Sequence, residues 1–273
     1  MTRTHIKLAS LIGFAFLAQA LQADILVGPG GAFQPWTASV LGPASAPTYG
    51  GPYWNNFSGD GPTANIGWCL VGGGGCVIAS PPGAIAYYGT ASGAAVQNMA
   101  FVSSGNVVAV SLLAQLTNQL GTAANPGYNV FGWYTINANG TITATALWNS
   151  KTDAIGQFAT FNPGPAGTKY GLFLENIQGG GTSAEADYFW FMNSSSDHGA
   201  GTAASVDTLQ HFSIFSGTPG QYIIGVDDAN SGDQDYNNMV VELMVPEPAT
   251  LSLLGLGLVG ALVARRRGAK RAA

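Results

Sequence analysis

Basic side chains are scarce in this 273-residue sequence, and the few present are concentrated at its ends. Of nine lysines and arginines, seven fall within the first seven or the last nine residues, leaving Lys151 and Lys169 alone between Asp24 and Val245. Thirteen acids share that interval with two lysines, so the body carries a net −11. A field of that sign repels phosphate backbones and anionic lipid, which argues against nucleic-acid binding, and it attracts cations. Histidine is limited to His5, His198 and His211. No nucleophile elbow, metal-ligand spacing or Lys-Ser/Lys-Thr phosphate loop accompanies the histidines, the serines or the glycine runs. Glu175, Glu185 and Asp187 read as solvated loop acids, because a glycosidase pair is defined by a separation of roughly 5 to 10 Å that spacing along a chain does not supply. His211 lies in a predicted strand, where a hydrogen-bonded structural role is the ordinary one. The expectation is a body without catalytic activity.

Long amphipathic helical patterns are also missing. The interior has little Lys, Arg and Glu, much Gly and Pro, and Thr, Val and aromatics in short runs, a composition that favours strands and turns. Strands are predicted at residues 106–112, 130–136, 141–148, 170–174, 188–192, 209–215, 222–226 and 239–245. The 137–140 segment, Asn-Ala-Asn-Gly, is a hairpin signal because Asn-Gly tolerates positive φ. Leu112, Leu113, Leu116 and Leu120 also fit a short helix ending at Gly121; the reading adopted is strand at the start and loop after it. Eight of the fourteen prolines lie between Pro29 and Pro82, so residues 24–105 are expected to be loop-rich and residues 106–244 to supply the core strands. Short strands separated by turn clusters predict an all-β, single-domain antiparallel sandwich or jelly roll.

Both ends carry targeting features. Arg3 and Lys7 precede the apolar stretch 8–20, with small residues at Ala18, Ala20 and Ala23 offering cleavage points, the layout of a secretory signal peptide over residues 1–23 and a route through the Sec export machinery. At the other end, Pro246, Glu247 and Pro248 are followed by an uncharged apolar run, 249–264, and then by Arg265, Arg266, Arg267, Lys270 and Arg271. As a helix that run would be about 24 Å long, short of the ~30 Å hydrocarbon core unless its flanks contribute. The arginines orient it with the body on the outer side of the membrane. A buried core helix would need one polar face, which the run lacks.

In that order and at that place, the Pro-Glu-Pro triplet, apolar segment and terminal arginines of residues 245–273 resemble the PEP-CTERM sorting signal of Gram-negative bacteria that make exopolysaccharide. No Leu-Pro-x-Thr-Gly box suggests the Gram-positive counterpart. The resemblance implies recognition by exosortase, removal of the tail from an inner-membrane intermediate, and release or attachment of the body at the envelope surface or in the extracellular matrix. In that oxidising compartment Cys69 and Cys76, which flank the glycine run 72–75, are expected to form a disulfide, worth on the order of 2.5 kcal/mol for so short a loop.

The segment 222–245 brackets an oxygen-rich loop between two apolar strands. It holds Asp227, Asp228, Asp233, Asp235, Asn237 and Asn238, and four carboxylates within nine residues repel one another unless water or a cation screens them. Ca²⁺ accepts six to eight such oxygens in irregular geometry. The loop is not an EF-hand, since neither register supplies the closing Glu. Asp and Asn also serve hairpins by bonding nearby amides, so a purely structural reading stays open. Residues 232–237, Gly-Asp-Gln-Asp-Tyr-Asn, are similar to the Asp-rich end of an uncharacterised β domain of PEP-CTERM and calcium-dependent surface proteins, with Asn238 where that pattern has Asp. The pieces at 131–134 and 210–215 extend the resemblance over residues 106–245. Asp227, Asp228, Asp233, Asp235 and Asn237 are the candidate Ca²⁺ ligands, a reading the resemblance supports. Trp36, Tyr53, Trp54 and Trp68 offer rings for sugar stacking, although most aromatics of a sandwich belong to the core. Two functional classes follow: a structural protein of the cell surface or exopolysaccharide matrix, or a calcium-dependent carbohydrate-binding module.

Overall fold

The computed structural model describes residues 23–35, 53–55, 66–70, 85–115, 121–122, 125–177, 188–199, 206–216, 220–228 and 236–245. Sixteen strands run along these segments: β1 (Ile25–Val27), β2 (Ala32–Pro35), β3 (Ala86–Gly89), β4 (Ala100–Val102), β5 (Val108–Ala114), β6 (Gly121–Thr122), β7 (Asn125–Pro126) and β8 (Tyr128–Ile136), followed by β9 (Ile142–Asn149), β10 (Phe158–Phe161), β11 (Lys169–Ile177), β12 (Tyr188–Phe191), β13 (His198–Gly199), β14 (Phe212–Ser216), β15 (Gln221–Val226) and β16 (Met239–Met244). Helical structure among the described residues is limited to one short helix, α1 (Ile66–Leu70), and 3-10 turns at Tyr53–Asn55 and Ser194–Ser196.

Two seven-stranded antiparallel sheets result. In the first, β11 is central: β8 and then β9 extend from one side, and β4, leading to β1, and β12, leading to β13, line the other. The second runs β10-β5-β16-β15-β14-β3-β2. β6 and β7 form a separate short ladder. Period-2 alternation decides what each strand buries. In β5 the inward row Val108, Val110 and Leu112 is buried and the residues between are only partly so, while a bulge opposite Val240 and Val241 turns Ala114 to the other face. Rows from both sheets, among them Phe101, Phe131, Leu172, Leu174 and Trp190 from the first and Leu112, Ile214, Ile224, Val241 and Leu243 from the second, share one apolar core. Burying each such side chain contributes about 1.5–3 kcal/mol relative to leaving it in water. A second cluster covers the other face of the second sheet, where Ile66, Leu70 and Trp54 pack on Tyr87, Phe215, Ile223 and Val240. The residues from Asp24 to Val245 form one compact unit.

The predicted strands are present with ends moved by at most three residues. The hairpin at 137–140 closes through Gly140 N–H to the Asn137 carbonyl (2.8 Å) and Asn137 N–H to the Thr141 carbonyl (2.9 Å), with Gly140 at φ +81°. β5 runs to Ala114 with a partner in β16, so the leucine stretch starts as strand; residues 116–120 lie outside the described residues. In the described part of 24–105 the strands are only three or four residues long: β1 and β4 join the first sheet, and β2 and β3 join the second. Its prolines are compatible with this because Pro35 closes β2, the outermost strand of its sheet.

Candidate functional site

Several inward rows change character at one end of the inter-sheet core. In β15, Ile224 and Val226 face the core, and the same alternation carries Asp228, just beyond the strand, toward it. In β11 the row Tyr170, Leu172, Leu174 ends at Asn176; in β8, Asn129 precedes Phe131; before β16, Asn237 precedes Met239, Val241 and Leu243. Asn176 and Asn129 are direct cross-strand partners. All four polar residues are buried, Asn129 and Asn176 at 0% exposure and Asp228 at 3%.

Hydrogen bonds draw them together. Asn129 Nδ2 donates to Asp228 Oδ2 (2.6 Å), and Asn176 Nδ2 donates to the Asp228 main-chain carbonyl. Asp228 N–H donates to Asn238 Oδ1 (3.3 Å). Chain approach is tight here: a Cβ on Gly225 would stand 2.4 Å from the Tyr236 carbonyl oxygen, so only glycine fits. Tyr236 itself adopts φ +54°, a conformation that costs a non-glycine residue on the order of 1–3 kcal/mol. Its buried ring, whose hydroxyl donates to the Gln210 carbonyl (2.9 Å), holds it there.

His211 borders this end. Its Nδ1 faces the Asp227 carbonyl (3.0 Å) and its Nε2 faces Asp207 Oδ1 (3.0 Å). Both partners are acceptors, an arrangement that favours a proton on each ring nitrogen. Burial alone would lower its pKa, but the Asp207 hydrogen bond and the charges of Asp227, Asp207 and Asp197 outweigh it and hold the pKa above the ordinary value. The Trp190 ring stacks on it at 3.7 Å between centroids. Desolvation pushes the Asp197 carboxyl up to about 7, against the Phe191 N–H that it accepts.

The structure therefore brings Asp227, Asp228 and Asn237 of the predicted ligand set to one buried end. Asp233 and Asp235 lie outside the described residues, as do Cys76, Trp36, the side chains of Cys69 and Trp68, and the whole tail with Pro246, Glu247, Pro248 and the arginines. Among the described residues no three His, Cys, Asp or Glu side chains converge as a metal site, and no helix is long and apolar enough to cross a membrane. Trp54 departs from its predicted sugar-stacking role: it is fully enclosed between Tyr87 and Phe215 and has no face to offer a ring in solvent. Asn129 and Asn176 were not anticipated. Their signal was present as a polar residue at the inward position of an otherwise apolar strand, but nothing local ties them to Asp228, which is 99 and 52 residues away.

The architecture defines an antiparallel two-sheet β protein. Residues 245–267 match the PEP-CTERM protein-sorting motif, which implies export and exosortase-dependent sorting at the membrane. No curated protein and no solved structure matches the chain.

Proposed function

We propose that this is an exported structural protein of the bacterial cell surface or exopolysaccharide matrix, delivered through its N-terminal signal and processed by exosortase through its C-terminal tail. The sorting motif carries the reading. The layout of the body supports it. The compact unit begins at Asp24, whose buried carboxylate accepts bonds from Tyr170 and Ser104, and ends at Val245, buried behind β16 with its N–H on the Gly220 carbonyl (2.7 Å). Processing at residues before Asp24 and after Val245 would therefore remove no strand from either sheet. The acidic, lysine-poor body suits a non-catalytic scaffold that stays soluble beside anionic surfaces rather than binding to them.

The test is mass spectrometry of the protein recovered from fractionated cells that produce it. The expected species is extracellular or envelope-associated, starts at or shortly before Asp24 and lacks the arginine-rich end. Recovery of the full-length, unprocessed chain from the cytosol would overturn the reading.

A further inference from the structure

The buried end of the core contains amide oxygens that nothing among the described residues answers. Asn129 Oδ1 and Asn176 Oδ1 have no hydrogen-bond partner among the described residues, although both residues are completely buried. Their orientation is fixed, because each amide's nitrogen is engaged by Asp228 and turning it over would set an oxygen against an acceptor. Gln115 Oε1 is likewise unanswered; its Nε2 donates to the Ser150 carbonyl (2.7 Å), and Ser150 exchanges bonds with the Asn129 backbone at the same end. A buried carbonyl oxygen without a partner loses its hydration without compensation, and native folds carry few of them. Two on adjacent strands, beside a buried aspartate, point to a missing electrophile.

We propose that Asn129 Oδ1, Asn176 Oδ1 and the Asp228 carboxylate are the protein's share of a Ca²⁺ site that ties the two sheets together. Asn129 Nδ2 is 2.6 Å from Asp228 Oδ2, so the oxygen on the same amide carbon lies no more than about 5 Å from that carboxylate. Two oxygens that share one Ca²⁺ at roughly 2.3–2.6 Å are separated by at most about 5 Å, so the spacing admits a common ion. All three ligands are oxygens, and they sit on three strands or strand ends from both sheets rather than on one loop. Hard-cation chemistry and irregular geometry favour calcium over magnesium, which demands a near-regular octahedron and sheds water reluctantly. The ion also adds positive charge to a body that carries a net −11. The site stands independently of how the protein is sorted.

The experiment uses the full-length chain in mild detergent, titrated with CaCl₂ and with MgCl₂ after EDTA treatment, and read by calorimetry, by melting temperature and by aromatic-sensitised Tb³⁺ luminescence. The expected result is one saturable Ca²⁺ site, a raised melting temperature and Tb³⁺ emission quenched by Ca²⁺ but not by equimolar Mg²⁺. The decisive variant is Asn176→Asp. It adds a carboxylate at the ion, so Ca²⁺ affinity should rise about tenfold while the EDTA-treated variant melts below the wild type. Asn176→Leu and Asn129→Leu should each lower affinity by at least about tenfold. No Ca²⁺ binding by the wild type would overturn the proposal, leaving bound water at these oxygens. Binding with unchanged affinity in Asn176→Asp and Asn176→Leu would also overturn it, because the ion would then sit on other carboxylates such as Asp233 and Asp235.

Discussion

The two ends of β11 meet buried aspartates in opposite ways. At the start of the strand, Asp24 Oδ2 accepts from the Tyr170 hydroxyl (2.6 Å) and Oδ1 from Ser104 N–H (2.6 Å), so each carboxylate oxygen is bonded within the chain. At the far end, Asn176 and Asn129 give their N–H groups to Asp228 but leave their own oxygens unanswered. Six residues separate Tyr170 from Asn176 on the same inward row, roughly 20 Å of extended strand. The first end is a closed lock that needs only the protein. The second is built to the same standard of burial and, on the proposed Ca²⁺ site, would be completed from outside, so that burial alone would not distinguish structural polar groups from ligand-binding ones. Their hydrogen-bond accounting would.

The largest effect that would test this contrast is at the closed end. Asp24→Ala strands the buried Tyr170 hydroxyl and frees the first strand, and thermal or urea unfolding should show a loss of about 3 kcal/mol, the same with Ca²⁺ as with EDTA. A calcium-dependent loss there would erase the distinction. At the open end, Gly225→Ala forces a methyl against the Tyr236 carbonyl and should destabilise by about 2 kcal/mol in urea melts, with Ca²⁺ affinity weakened as the Asp228 segment shifts.

Acid–base behaviour sharpens the same comparison. His211, facing Asp207, Asp227 and Asp197, and Asp197 itself, raised from 3.8 to about 7, hold protons more tightly in the folded chain than in the unfolded one. The folded state thus binds more protons between about pH 4 and 7, and stability in EDTA falls as the pH rises through that window, with the raised His211 contributing in the same direction. A drop on the order of 2 kcal/mol between pH 5 and pH 8 is expected, and Asp197→Asn should flatten it. An unchanged slope in that variant would place the titration elsewhere. The smallest effect is Asn176→Leu without calcium, about 1 kcal/mol, because the lost N–H bond is offset by removal of an unanswered oxygen. With calcium present the same variant should lose visibly more.

Legibility of the fold varied along the chain for identifiable reasons. β8, β9, β11, β15 and β16 were readable because each alternates or carries a dense apolar run between turn residues, and Asn-Gly marked the β8–β9 hairpin. β1 to β4 were not, since three or four residues among prolines and glycines give no period to measure, and their strand form rests on pairing with distant partners such as Tyr170 and Phe215. Trp54 shows the same limit: an aromatic in a proline-rich segment suggests an exposed ring, whereas Tyr87 and Phe215 enclose it. At the candidate site, Asp227, Asp228 and Asn237 were legible as oxygen-rich neighbours in one loop. Asn129 and Asn176 were not, because an isolated Asn in a strand has no local reason to be singled out.

The sequence by itself determined where the protein is addressed and what material it is made from. A sorting motif, a charge segregated to the termini and a β-forming composition are one-dimensional properties, read by partners or by short-range sterics before any tertiary contact exists. Which polar groups are satisfied was decided only by the tertiary structure. A hydrogen bond is a matter of a few ångströms in space, and the amide oxygens that set one end of the core apart became neighbours of Asp228 only when two sheets closed over them.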